Sequence, residues 1–425
     1  MGTKTMFART KLGSYGSTIR SAPREVLYNR RLLLTSFIFA CAAVPLTWDQ
    51  GSSAVIATLP SFRQHFGIDS ATDASKIKYF VSLISIGDFI GAAASFFLND
   101  RAGRLWSYRM YVALWTAGQV LQIVAPNAAA LYAARVLCGC GLGALMVVSP
   151  MAIAELAPAE ARGVLTSWYT VMMGLAHGVS SFCVYGVYLD ERLQGTRLQY
   201  QVVWIVPIAF MTLCFVASFL VCEESPRWLF LVDRQEDATD VLVRIRGLPL
   251  EHPRVRRELR EIQEAISQEG MFFASGKGTA SLRSILRETF TVPANLRRVQ
   301  QSVILYLLPQ LSGASSISYY LIPVLNMIGS TNSTERNLFL SGMYTLSKFF
   351  FALIASFLFV DALGRRKSLF VGITCQMLAD LYVAIYVKNS QHGPVATGAS
   401  KGALAAIFIQ AFGYSVGERG EYVPC

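Results

Sequence analysis

Stretches of bilayer length, roughly 20 residues, recur along this chain at 31–58, 79–98, 108–124, 128–153, 164–189, 202–222, 300–323, 338–360, 368–388 and 402–417. A segment surrounded by lipid must close its backbone hydrogen bonds within itself, and runs this long and uniformly apolar do not suit barrel strands. The pattern therefore predicts an all-α polytopic membrane protein, with six spans, a polar stretch at 223–298 and four more spans. The 38 basic and 27 acidic residues are distributed accordingly, because 223–298 alone holds 13 and 12 of them. An ordinary soluble enzyme, a disulfide-stapled secreted domain and a disordered chain are excluded. The eight cysteines lie mostly inside or at the edge of apolar runs with no CxxC pair and no Cys/His ligand spacing, so they read as small packing residues and no metal or other cofactor is expected. No GxxxxGK[ST] loop marks a nucleotide-driven pump, and no filter-like loop or charge ring marks a channel.

The net charge of +11 is largely orientation. With the N-terminus inside, 27 of the Lys/Arg residues fall on the cytoplasmic side, including a 99–109 loop, and 8 on the other, the asymmetry of an N-inside topology. On that topology Asn332-Ser333-Thr334 is a glycosylation acceptor on the outer side. Four parts are expected: a cytoplasmic tail at 1–30, a six-helix half at 31–222, a cytoplasmic loop with short helices at 223–298, and an incomplete half at 299–425.

A repeat relates the halves. Asp100-Arg101-Ala102-Gly103-Arg104 follows the second run, and Asp361-Ala362-Leu363-Gly364-Arg365-Arg366 follows the second run of the second half. Each suits a tight turn, with Gly permitting the reversal and the acid facing the positive N-terminal end of a helix. Asp49 and Arg135 are ionisable groups inside apolar runs, a costly place usually occupied for function and with a partner. An Asp beside an Arg can bind and release a proton as the Arg approaches or withdraws, while a permanent structural ion pair is the alternative. Gly139, Gly141 and Gly143 suit close helix approach. In 310–320, Gln310, Ser312, Ser315, Ser316 and Ser318 set amide and hydroxyl groups beside Tyr319 and Tyr320, a wall suited to a hydroxyl-rich ligand or to interhelical hydrogen bonding.

Taken in order, Trp48-Asp49-Gln50-Gly51, NDRAGR at 99–104, Ala134-Arg135 with the three glycines, ELAPAEARG at 155–163, ESPRWL at 224–229, QLSGASSISYY at 310–320 and DALGRR at 361–366 resemble the sugar porter family of the major facilitator superfamily, as found in fungi. The resemblance runs from about Trp48 to Gly417. It implies a transporter that moves a sugar or related polyol by alternating access in the plasma membrane, with Asp49 and Arg135 coupling a proton and no nucleic-acid partner. It also implies that Asp100, Arg104, Glu155, Arg162, Glu224, Arg227, Asp361, Arg365 and Arg366 form salt-bridge networks closing the cytoplasmic side. Gln310, Ser315, Ser316, Tyr319, Tyr320 and Thr170 fall where the family contacts sugar. Where the family usually has paired Gln and an Asn, this chain has Pro309-Gln310 and Ser315, and Thr170 falls near the position of a further Gln. A substrate other than a common hexose is therefore expected.

The family has twelve spans and this chain about ten, which suggests a shortened gene product. A nutrient sensor of the same fold and a non-functional fragment are the competing expectations. Asp88, His177, Lys348 and Asp380 also lie in or near spans, without an assigned role.

Overall fold

The computed structural model describes residues 29–68, 74–273, 287, 289–311, 321–328, 334–354, 365–390 and 396–417, and every regular element among them is helical. In chain order these are α1 (Arg30–Cys41), α2 (Ala43–Ile56), α3 (Pro60–Phe66), α4 (Ala74–Ala102), α5 (Arg104–Val124), α6 (Ala128–Leu156), α7 (Arg162–Leu189), α8 (Leu198–Val221), α9 (Pro226–Leu231), α10 (Gln235–Arg246), α11 (Pro253–Phe273), α12 (Pro293–Leu311), α13 (Leu321–Met327), α14 (Thr334–Ile354), α15 (Arg365–Ser390) and α16 (Thr397–Gly417).

Among the described residues, seven stretches are long and apolar enough to cross a membrane: Arg30–Ser53, Ser75–Ala102, Ala128–Leu156, Arg162–Leu189, Leu198–Val221, Thr334–Ile354 and Lys367–Ser390. Helices α5, α12 and α16 stand where spans were expected but are not among the seven. The first span is not one continuous helix. It breaks at Ala42, and Pro45 three residues on supplies no N–H for the carbonyl of Cys41.

The expected 99–109 loop is also absent. Helix α4 ends at Ala102 and α5 begins at Arg104, so the reversal is made at Gly103 alone. Arg109, which that reading placed in the loop, is buried in α5. Its guanidinium lies 3.9 Å from the Phe219 ring centroid and 5.0 Å from that of Trp106, and its Nη2 donates to the Ser218 carbonyl at 2.8 Å. The flanking aromatics satisfy the cation inside the helix pair.

The first eight helices build a bundle whose largest buried cluster runs from Leu32 and Phe39 through Trp115 and Leu145 to Trp228 and Ile245. Helix α6 is its axis and is flanked closely on two sides. A Cβ on Gly139 would come within 2.2 Å of the Ile84 carbonyl oxygen of α4, and one on Gly143 within 2.0 Å of the Asp88 carbonyl. On the opposite side, a Cβ on Gly141 would meet the Trp115 nitrogen of α5 at 2.5 Å. Hydrogen at these positions allows backbone to touch backbone, which is how helices associate where lipid removes the hydrophobic drive.

After α8, helices α9, α10 and α11 fold back beneath the bundle. Val255, Leu259, Ile262 and Ile266 of α11 turn inward, and Ala238, Val241 and Ile245 of α10 join the main cluster. Of the stretch 281–288, only Arg287 lies among the described residues. Helices α13 to α16 form a separate apolar cluster around Tyr344, Val383 and Ile407. The two parts meet along α7 and α14, where glycines oppose large side chains: Gly174 faces Phe349, Gly342 faces Phe182, and Gly178 faces Leu346.

Candidate functional site

Asp49 on α2 and Arg135 on α6 form an ion pair in the interior, 5% and 0% exposed. Arg135 Nη1 donates to Asp49 Oδ1, and Nη2 donates to Asp49 Oδ2 at 3.2 Å and to Ser53 Oγ at 2.9 Å. Its Nε donates to the Phe80 carbonyl of α4 at 2.9 Å, and the Phe80 ring centroid lies 4.2 Å from the guanidinium carbon. Ser53 Oγ in turn donates to Asp49 Oδ1 at 2.8 Å. Each nitrogen of the guanidinium thus has an acceptor, the condition under which a buried charge is tolerated. Ser53 and Phe80 were not anticipated as partners, although Ser53 stands one helical turn after Asp49 and so on the same face. Neighbouring contacts fix α2: Trp48 Nε1 donates to the Val203 carbonyl of α8 at 2.8 Å, and Ser181 Oγ of α7 to the Gly51 carbonyl at 3.1 Å. His177, also on α7, is buried beside Gly51.

A second set of charges gathers at the other end of the same bundle. Arg104, 4% exposed at the start of α5, grips Glu155 of α6 bidentately through Nε and Nη2, both at 3.0 Å, and donates from Nη1 to Asp100 Oδ1 at 3.0 Å. Glu224 accepts from the backbone amides of Arg104 at 2.9 Å and Leu105 at 3.1 Å, so a carboxylate caps the positive end of α5. Burial pushes the Glu224 carboxyl up, opposed by these amides and by Arg104, which pull it down. Ser225 Oγ donates to Glu155, and Trp228 Nε1 of α9 donates to the Asp100 carbonyl at 2.9 Å. Gly103 has φ +89° and a Cβ there would lie 2.6 Å from Glu224 Oε2. Gly103→Ala is therefore expected to lever Glu224 off the α5 amides at a cost of about 1–3 kcal/mol of backbone strain. Limited trypsin digestion checks it: cleavage between α8 and α10 should be faster than in the parent, and an unchanged rate would contradict the strain argument.

Loop-helix contacts extend this set beyond the residues anticipated. Arg246, 1% exposed at the end of α10, clasps Glu258 of α11 at 2.6 and 3.0 Å and donates to the Leu156 carbonyl at the end of α6. Arg254 pairs with Glu160 at 2.6 Å, and Arg31 with Glu223 at 2.6 Å. Glu258 of α11 is thereby held against α10. A cavity of ≈ 900 Å³ opens among these groups, with Arg104, Glu155, Arg162, Arg227, Arg257 and Glu261 on its walls. Arg162 was expected in the closing network. It is exposed at the first turn of α7, and no ion pair among the described residues includes it, since Glu155 is already taken by Arg104.

Of the expected substrate wall, Thr170 is half-buried on α7, one turn before Gly174 and thus on the side that meets α14. Gln310 belongs to α12, but its side chain, with Ser315, Ser316, Tyr319 and Tyr320, lies outside the described residues, as do Asn332, Asp361 and the side chains of Arg365 and Arg366. In the second part Lys348 of α14 is 2% exposed, with its ammonium 4.0 Å from the Tyr414 ring centroid and 4.8 Å from that of Tyr344. Tyr344 donates its hydroxyl to Gln410 at 2.7 Å.

The family model described as "Sugar (and other) transporter" matches residues 35–419. The quinate permease of Emericella nidulans is 28% identical over 398 residues, covering 92% of this chain and 72% of that protein. The low-affinity glucose transporter HXT1 of Saccharomyces cerevisiae is 30% identical over 372 residues, covering 83% of this chain and 60% of that protein. Among solved structures, the proton:xylose symporter XylE of the major facilitator superfamily superposes with a TM-score of 0.71 at 21% identity, covering 92% of this chain and 81% of that one. The partially occluded inward-open form of XylE from E. coli gives 0.70 at 19% identity. These two likenesses establish the fold.

Proposed function

Because the chain belongs to the sugar (and other) transporter family, we propose that it is a secondary-active transporter which moves a hydroxylated small molecule by alternating access, coupled to a proton. The family and the major facilitator fold make it a multi-pass membrane transporter rather than an enzyme. The observation carrying the proton-coupled reading is the sealed Asp49–Arg135 pair. Arg135 clamps both carboxylate oxygens of Asp49; a movement of α6 against α2 that withdraws the guanidinium would leave Asp49 without its counter-charge in an apolar surround, where a proton can take the cation's place. Proton binding then favours one arrangement of these helices and release favours the other.

The substrate class is a sugar, polyol or cyclic polyol acid. Residues 310–320 and Thr170 supply hydroxyls where a hexose-binding wall would have amides, and the similarity to both a quinate permease and a glucose transporter supports this range. At the other end, the Arg104–Glu155–Glu224 clasp would close the cytoplasmic side in one state and open in the other, with Asp100, Arg162 and Arg227 beside it and Asp361, Arg365 and Arg366 as the second-half counterparts. A single exposed ion pair contributes little, but this set is mutually bonded and largely buried. The basic residues flanking the spans favour a cytoplasmic N-terminus in the plasma membrane, which puts 223–298 inside as the link between the two halves and Asn332 outside for glycosylation.

Reconstitution tests the whole reading. Vesicles containing the chain should take up labelled quinate, glucose or xylose against a gradient when the outside is acidic, and lose accumulation with a protonophore. Absence of uptake of all three under both substrate and proton gradients would overturn it.

A further inference from the structure

A third carboxyl, half-buried on α4, borders the first bundle and takes part in no ion pair among the described residues. Asp88 lies on α4, eight residues beyond Phe80, so about 12 Å along the helix from the carbonyl that receives Arg135. Its backbone is pressed against Gly143. Its Oδ1 is sealed from solvent and has no hydrogen-bond partner among the described residues. The titratable groups within electrostatic reach are Asp49 from α2 and Arg135, Cys138 and Cys140 from α6. Of these the sole cation is Arg135, whose nitrogens are already engaged by Asp49, Ser53 and Phe80. The one cation whose field reaches Asp88 is thus already bonded to Asp49, so an ionised Asp88, with Oδ1 sealed and unpartnered among the described residues, would lack a counter-ion and be repelled by Asp49.

We propose that Asp88 is a second proton-carrying carboxyl of the transporter, holding a proton while Asp49 is clamped by Arg135. The inference rests on the proton-coupled reading above for its role in transport. The O–H bond formed on Asp88 takes its proton from one aqueous face, and that bond breaks to release the proton to the other, so nothing but a proton is exchanged. The site binds a hydron, with no metal and no substrate.

Two measurements on the full chain in lipid test it. In infrared spectra at neutral pH, the carbonyl stretch of a protonated, unhydrated carboxyl should be present in the parent, absent in Asp88→Asn, and retained in Asp49→Asn and Asp380→Asn. A band that survives in Asp88→Asn, or a parent without one, overturns the proposal whatever the transport result. In vesicles, Asp88→Asn should keep substrate counterflow but lose accumulation under an inward proton gradient by about tenfold, roughly 1.4 kcal/mol of drive, and Asp88→Glu should restore it. Undiminished accumulation in Asp88→Asn also overturns the proposal. A parent with the band but no proton-driven accumulation would instead refute the coupling described under Proposed function and leave the protonated Asp88 standing. If Asp88→Asn does not fold, Asp88→Glu keeps the test open, because its band should persist at a shifted frequency.

Discussion

Arg135→Met is expected to remove most of the folded protein, and Asp49→Asn to be milder on folding while abolishing proton-driven accumulation. The asymmetry follows from which charge is left behind. Without the guanidinium, Asp49 keeps only the Ser53 hydroxyl as a donor and either remains an unpaired buried charge or takes up a proton, and breaking a buried pair from one side costs up to about 3–5 kcal/mol. Phe80 loses its hydrogen bond and its ring contact as well, so α2, α4 and α6 are loosened together. In Asp49→Asn the amide oxygen, Ser53 and the Phe80 carbonyl still accept from Arg135, so its hydrogen bonds survive although its counter-charge is lost and part of the pair's cost remains. The larger cost there falls on titration: an amide cannot bind the proton. Detergent-solubilised yield by fluorescence-detection chromatography should therefore fall at least several-fold for Arg135→Met and less for Asp49→Asn, while Asp49→Asn loses accumulation driven by external acid. Parent-like yield for Arg135→Met would show that the pair does not hold these helices. Proton-driven accumulation by Asp49→Asn would remove Asp49 from the coupling.

Gly143→Val should be as damaging, through shape alone. Its first added carbon would lie 2.0 Å from a backbone oxygen on α4, which has no rotamer by which to move aside. Helix α4 must separate from α6 along its length, and overpacking of this kind costs at least 1–3 kcal/mol even in cores that relax. Gly186→Ala, where an added carbon meets nothing within 4 Å, is the matched control and should be silent. Thermal unfolding of the two variants in one detergent separates the cases, and equal melting temperatures would refute the claim that α4 and α6 touch backbone to backbone.

How much of this was legible beforehand depends on whether the cause was local. The apolar runs gave the helices and their order, because a membrane leaves a chain no other way to satisfy its backbone. The Asp-x-x-Gly-Arg turn was legible for the same kind of reason, since Gly103 alone can make that reversal. That Asp49 and Arg135 would seek each other follows from the cost of either alone in lipid. Three other features depend on distant partners and left no local trace. Arg109 reads as a loop charge until Phe219, more than a hundred residues later, is folded over it. The first span reads as continuous because its hydropathy does not register the donor missing at Pro45. The docking of α10 and α11 rests on Arg246 reaching the end of α6 and Glu258 at once, a triangle that no spacing rule encodes. The clasp was anticipated with Arg162 in it, and competition between two arginines for Glu155 is settled by which lies nearer in space.

The seam between α7 and α14 pairs hydrogen-sized positions with flat rings, Gly174 with Phe349 and Gly342 with Phe182. Each ring seats in the notch a missing side chain leaves, so the two parts fit at fixed positions along the seam. Widening any one notch's owner by a single methyl would displace a whole ring, which makes these glycines the places where the two parts are most sensitive to bulk.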